Sequence, residues 1–189
     1  MLVLIVGAAV LVGFTFAAVA ERERGGSASP AGNTAADPQT KTLDWTEWQG
    51  QKGERIGFGV KRFQVLPNGW RARISLANES KVAFGIDPSR RSFGLMLFAS
   101  GKHRDLEARN RAQTLPTVRT ALAFDPELPT TLDPHATWTG TISAHGALVA
   151  GSWVRFVFGW LDVIGRAPDA FPPHLLWITD HAYRLRVPD

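Results

Sequence analysis

The chain has no cysteine. That excludes disulfides, thiolate metal sites, a cysteine nucleophile and a lipidated N-terminal cysteine. It also lacks the spacings that carry chemistry. There is no Gly-x-Ser-x-Gly elbow and no Ser-x-x-Lys with its companions. None of the five histidines stands in a His-x-His or His-Glu-x-x-His pair. Gly-x-Gly occurs once, at Gly57–Phe58–Gly59, inside a predicted strand with no helix after it, so a phosphate-binding reading fails on context; glycines there predict a bulge or tight bend. Acids are sparse, and no stretch of the folded part is dense enough for a calcium loop. With 21 Lys and Arg against 17 Asp and Glu, the net charge is +4, too mild for a dedicated nucleic-acid binder. No cofactor and no catalytic set is expected, and the reading is of a protein that is not an enzyme.

Residues 2–20 are present in force instead: nineteen consecutive residues without a charge. As a helix they span roughly 28 Å, close to the hydrocarbon core of a bilayer. Two readings compete. An uncleaved anchor is favoured by the length of the run and the lack of a preceding Lys or Arg. A cleaved signal is suggested by the small-residue triplet Ala18–Val19–Ala20. Either would put the rest of the chain outside the cytoplasm, membrane-held in the first case and secreted in the second. Residues 21–41 are rich in Gly, Ser and Pro and carry no large apolar residue, which predicts a flexible tether. The folded domain is expected to begin at Thr42 and run to the C-terminus.

Within 42–189 the apolar period is two. Trp70, Ala72, Ile74 and Leu76 alternate with Arg71, Arg73 and Ser75, which describes a strand with one dry and one wet face. Asn68–Gly69 separates it from the apolar run before it, the strongest short-range signal for a hairpin, here 58–66 with 70–77. Further strands are predicted at 42–48, 81–86, 93–98, 117–124, 137–143, 152–158, 175–179 and 182–187. Asp-Pro pairs at Asp87, Asp125 and Asp133 supply turns between them. Two turns of helix fit 105–113, and a turn or two fits Trp160, Val163 and Ile164. The fold class expected is all-β, a two-sheet sandwich of about seven to nine short strands. Arg155, in the most apolar strand, needs water at a flank or a carboxylate in the middle.

Three segments are similar to the immunoglobulin-like sandwich modules found behind an N-terminal anchor or signal in bacterial envelope proteins. They are Arg55 to Asn78 with its following Glu-Ser, Leu132 to Thr141, and Gly151 to Gly159. His135 and Ala136 stand where such modules usually carry a glycine. The resemblance covers about 45 residues and implies immunoglobulin-like strand order and a non-enzymatic role outside the cytoplasm.

Two candidate contact surfaces follow from residue types alone. Lys102, Arg104, Arg109 and Arg111 concentrate basic charge between Ser100 and Gln113, diluted by Asp105 and Glu107. Trp45 and Trp48 stand next to the tether on opposite faces of one strand, so one of the two rings is available to a partner or to headgroups. The partner expected is another envelope protein; anionic lipid or an acidic envelope polymer fits the basic residues too. A structural or assembly subunit is the second reading. A third is a metal-dependent envelope enzyme, with His174, Asp180 and His181 as ligands.

Overall fold

The structure is a computed structural model that describes residues 34–87, 89–168 and 172–188. The apolar run 2–20 and most of the tether lie outside the described residues, as does Asp169. Among the described residues no helix is long and apolar enough to cross a membrane.

The described residues form twelve strands and one helix in two antiparallel sheets. The five-stranded sheet is built first, as a meander of β1 (Gln39–Gln51), β2 (Glu54–Leu66) and β3 (Gly69–Asn78). It continues through β9 (Thr137–His145) to β7 (Ala123–Asp125) at the far edge. The seven-stranded sheet centres on β10 (Trp153–Ile164), which pairs with β5 (Gly94–Phe98), β4 (Ala83–Ile86), β11 (His174–Ile178) and β12 (Tyr183–Arg184). Two-residue strands β6 (Arg119–Thr120) and β8 (Thr131–Leu132) close its ends. The count exceeds the seven to nine expected because four of the twelve strands are only two or three residues long. A single predicted strand at 117–124 is in fact β6 and the start of β7, one in each sheet.

The predicted β2–β3 hairpin forms, with Val65 opposite Trp70 and Phe58 opposite Leu76. Rings from the two sheets meet between them: Phe58 stacks on Trp177 at 5.2 Å, and Phe63 meets Phe156 edge-on at 5.3 Å. Trp70, Ile74 and Leu76 from one sheet and Val154, Phe156 and Phe158 from the other are at most 1% exposed. This alternation is the one the sequence predicts. The helical turn expected at 160–164 is absent; β10 runs through it, because Leu161 to Ile164 pair with Ile86 to Ala83. The folded part also starts upstream of Thr42: β1 begins at Gln39, Ala35 bridges to Val149, and Ala36 is buried.

The two sheets differ on their outer faces. Behind the seven-stranded sheet, α1 (His103–Arg111) seats Leu106 against Met96, Phe98 and Val157 in a second small core. That sheet is dry on both sides, which is why β10 reads as a nearly continuous apolar run. The five-stranded sheet turns a face made of Thr, Ser, Gly and Arg to the surface. Gly57 sits on this face beneath Trp48, its register partner on β1, and an added Cβ would lie 2.7 Å from the Trp48 ring. Gly57 therefore serves close approach of a ring and Gly59 close approach of the Ser75 side chain, and the bulge of β2 falls instead after Val60. Gly57→Ala is expected to destabilise the fold by about 1–3 kcal/mol through overpacking. In a denaturant double-mutant cycle, Trp48→Ala should remove most of that cost; independent, additive losses would contradict the packing.

Candidate functional site: an arginine face on the five-stranded sheet

The bulge in β2 determines what this face displays. Ile56, Phe58 and Val60 point into the core on even positions, and Phe63 and Val65 on odd ones, all at most 2% exposed. One extra residue at Lys61 reconciles the two parities and turns Arg62 outward. β1 carries a matching irregularity between Thr42 and Trp45, with Asp44 at φ 51°. Arg62 then lies directly opposite Arg73 of β3. Both are exposed, and among the described residues no carboxylate pairs with either. Opposed like charges on a sheet are destabilising, by about the 0.2–1 kcal/mol typical of cross-strand pairs. Lys61 reaches Asp44 at 3.9 Å. Asp125 stands at the end of the same row, beyond Thr141, two strand spacings of about 4.8 Å from Arg73. The next row holds Arg71, also exposed, whose Nε donates to Gln64 Oε1 at 2.5 Å.

At one corner the Arg55 guanidinium lies 3.8 Å from the centre of the Trp48 ring, a cation–π contact. Glu79 holds it there, accepting from Nε at 2.6 Å and from a terminal nitrogen at 3.2 Å. The hydrogen bond from Arg55 keeps the Glu79 carboxyl below its ordinary value of 4.5, opposed by some desolvation and aided by the charges of Arg55 and Lys52. A lowered folded-state pKa means that the pair's stabilisation is present above about pH 4.5 and is lost as pH falls through the folded value. A carboxyl NMR titration is expected to show Glu79 titrating below its ordinary value in the wild type and at higher pH in Arg55→Gln. An unchanged Glu79 in the variant would contradict the assignment.

The sequence-predicted residues are distributed over two places. Lys102, Arg104, Arg109 and Arg111 belong to the N-terminal cap and body of α1 and are exposed. Of the four, Arg104 lies 3.7 Å from Asp105 and Arg109 donates to the Thr114 carbonyl; the neighbouring His103 lies 2.9 Å from Asp180 and 3.3 Å from Glu107. Trp45 and Trp48 point to opposite faces of β1. Trp45 packs at the edge of the main core and stacks on the His181 ring at 5.1 Å. Trp48 lies on the outer face, under Arg55. The α1 residues therefore sit behind the other sheet, and only Trp48 joins the arginine face. Residue type and spacing alone do not single out Arg62, Arg71 and Arg73. Arg71 and Arg73 read as the wet side of β3, but the pairing of Arg73 with Arg62, and of Arg71 with Gln64, depends on the bulge.

His174, Asp180 and His181, the ligands of the metal-dependent alternative, have separate partners. His174 Nδ1 lies 2.7 Å from Asp162, His181 Nδ1 lies 2.7 Å from Glu47, and Asp180 faces His103. Among the described residues no group of three or more His, Asp or Glu is arranged to hold a metal ion.

Glu47, 8% exposed, is the anchor that sequence reasoning missed. It accepts hydrogen bonds from the Trp177 indole (2.7 Å), the Asp180 and His181 amides (both 2.9 Å) and has the His181 ring at 2.7 Å. It therefore ties β1 to the loop after β11. Arg155 grips the same loop from inside. It is fully buried, and its guanidinium donates to the carbonyls of Thr179, Asp180 and Gly101. The carboxylate expected beside it is replaced by backbone oxygens. Burial lowers the Arg155 pKa, and the charges of Asp180 and Glu47 oppose that shift. Nothing in the local sequence marks Glu47, because its partners are about 130 residues away. Glu47→Ala removes the shared acceptor of four part-buried hydrogen bonds and is expected to cost about 1–3 kcal/mol in urea unfolding. A loss under about 0.5 kcal/mol, typical of a surface substitution, would contradict this anchoring role.

No family model matches the chain, and no curated protein or solved structure does.

Proposed function

We propose that this chain is a non-catalytic binding module that works outside the cytoplasm and contacts another envelope protein. The observation that carries the reading is the opposed, uncompensated pair Arg62–Arg73 on a bare sheet face. A fold that has only its own stability to serve gains nothing from two guanidiniums facing each other across a ladder. A fold that meets an anionic partner gains electrostatic steering and register. The exposed cations of α1, Lys102, Arg104, Arg109 and Arg111, offer a second and more diluted contact on the opposite sheet. Placement outside the cytoplasm rests on the uncharged run 2–20 and the tether-like composition after it. The immunoglobulin-like relation rests on the three similar segments, which fall on β2 and β3, on β8 and β9, and on the first half of β10. It is supported by two antiparallel sheets with facing aromatic cores.

In-cell photocrosslinking of the full-length chain tests the reading, with the crosslinker placed beside Arg73 or beside Arg109. A reproducibly captured envelope protein, reduced several-fold by Arg73→Glu, is the expected result. Capture of only a second copy would favour an assembly subunit. Capture of no protein from either position would overturn the binding reading.

A further inference from the structure

The arginine face does not stop at Arg71. Going down β3 on the same face, the positions are Arg73, Arg71 and then Gly69, which carries no side chain and lines an open groove. The groove lies between the β2–β3 turn and β7, walled by Leu66, Pro67, Leu122, Ala123 and His145. Leu66 and Leu122 are 37% and 70% exposed, two of the four large hydrophobic side chains exposed among the described residues. Ladder pairing makes the two features continuous: Ala123 lies opposite Ser143, and Ser143 opposite Arg71.

Each half of this surface excludes occupants that the other would accept. Lipid headgroups or an acidic polysaccharide would answer the arginines and leave the leucines in water. A wholly apolar partner would bury the leucines and desolvate unpaired guanidiniums at a cost of several kcal/mol each. A polypeptide with carboxylates followed by apolar side chains answers both. The cations of the two rows are all arginine, whose planar fork accepts a carboxylate in bidentate fashion. One carboxylate set between Arg62 and Arg73 also cancels their repulsion. Side chains on one face of an extended chain recur about every 6.8 Å, which is also the spacing from Arg73 to Arg71.

We infer that the outer face of the five-stranded sheet is a docking site for an acidic segment of a partner protein, whose carboxylates cross Arg62, Arg73 and Arg71 and whose apolar side chains enter the groove at Leu66 and Leu122. The inference rests on the binding-module reading and names its partner's chemistry.

The test uses the full-length chain in phosphatidylcholine nanodiscs and a fluorescent peptide, Glu-Thr-Glu-Thr-Leu-Thr-Leu. Control peptides replace Glu by Lys or Leu by Ser. The acidic–apolar peptide is expected to bind, with affinity reduced at least about tenfold by Arg73→Glu, as for loss of an interfacial charge pair. Leu122→Ser or the Leu-free peptide should lose about fivefold, as for exposure of a partly buried leucine. Arg73→Gln, the milder change, should fall between wild type and Arg73→Glu, and circular dichroism verifies that each variant folds. Equal binding of the Leu-free peptide, binding of the Lys peptide, or indifference to Arg73→Glu would each overturn the inference. So would absence of peptide binding together with Arg73-dependent binding to phosphatidylglycerol vesicles, which would assign the face to a membrane surface. If the peptide fails while crosslinking beside Arg109 still captures a protein, the docking site falls and the binding-module reading stands. If both fail, both fall.

Discussion

The structure turns on one demand made of β2: a single strand must bury Ile56, Phe58 and Val60 and also Phe63 and Val65 on the same face. Side chains alternate with a period of two, so an even set and an odd set cannot share a face without one inserted residue. The bulge at Lys61 is that residue. Without it, Phe63 and Val65 would turn to water and the pairs Phe63–Phe156 and Phe63–Tyr183 would be lost. With it, Arg62 is delivered to the surface across from Arg73. Core packing thus fixes the site, and the electrostatic cost on the surface is small beside the burial of two large apolar side chains, each worth about 1.5–3 kcal/mol.

The two sheets divide the work. The seven-stranded sheet is sealed on its outer side by α1 and by the loops that Arg155 and Glu47 clamp. Those clamps use charged groups as structural staples: a buried guanidinium against carbonyls, a buried carboxylate against amides, an indole and an imidazole. Each is fully occupied with neighbours, apart from Arg155 Nε, which has no hydrogen-bond partner. On the outer face of the five-stranded sheet, Arg62 and Arg73 stand in contrast, exposed and without a carboxylate partner among the described residues. This contrast, more than the total of +4, separates charge that holds the fold from charge available to another molecule.

Much of the architecture was legible in the sequence. The alternation Trp70–Leu76 and the Asn68–Gly69 turn prescribe the central hairpin, and Val154, Phe156 and Phe158 mark a central strand correctly. The parity switch between Val60 and Phe63 was legible too, but only if both apolar sets are required to share one core. Ile164 and Trp160 misled because short apolar spacings fit a helix and a strand alike; pairing with β4 decided for the strand. Glu47 and Arg155 were opaque for a different reason: their partners are remote in sequence, and side-chain type alone does not reveal a backbone carbonyl as a counter-group. The basic segment 102–111 was found by its density of Lys and Arg, whereas Arg62, Arg71 and Arg73 become a cluster only through cross-strand register.

The central claim is that Arg62 and Arg73 repel each other in the free protein, the condition on which the proposed binding reading depends. The most direct measurement is the urea unfolding free energy of Arg73→Thr against wild type, at low and at high salt. The account gives a variant more stable than the wild type by on the order of 0.5 kcal/mol at low salt, with the gain shrinking as salt screens the pair. A variant that is less stable than the wild type, or whose difference does not respond to salt, would show that the two guanidiniums are already satisfied within the chain and would contradict the account.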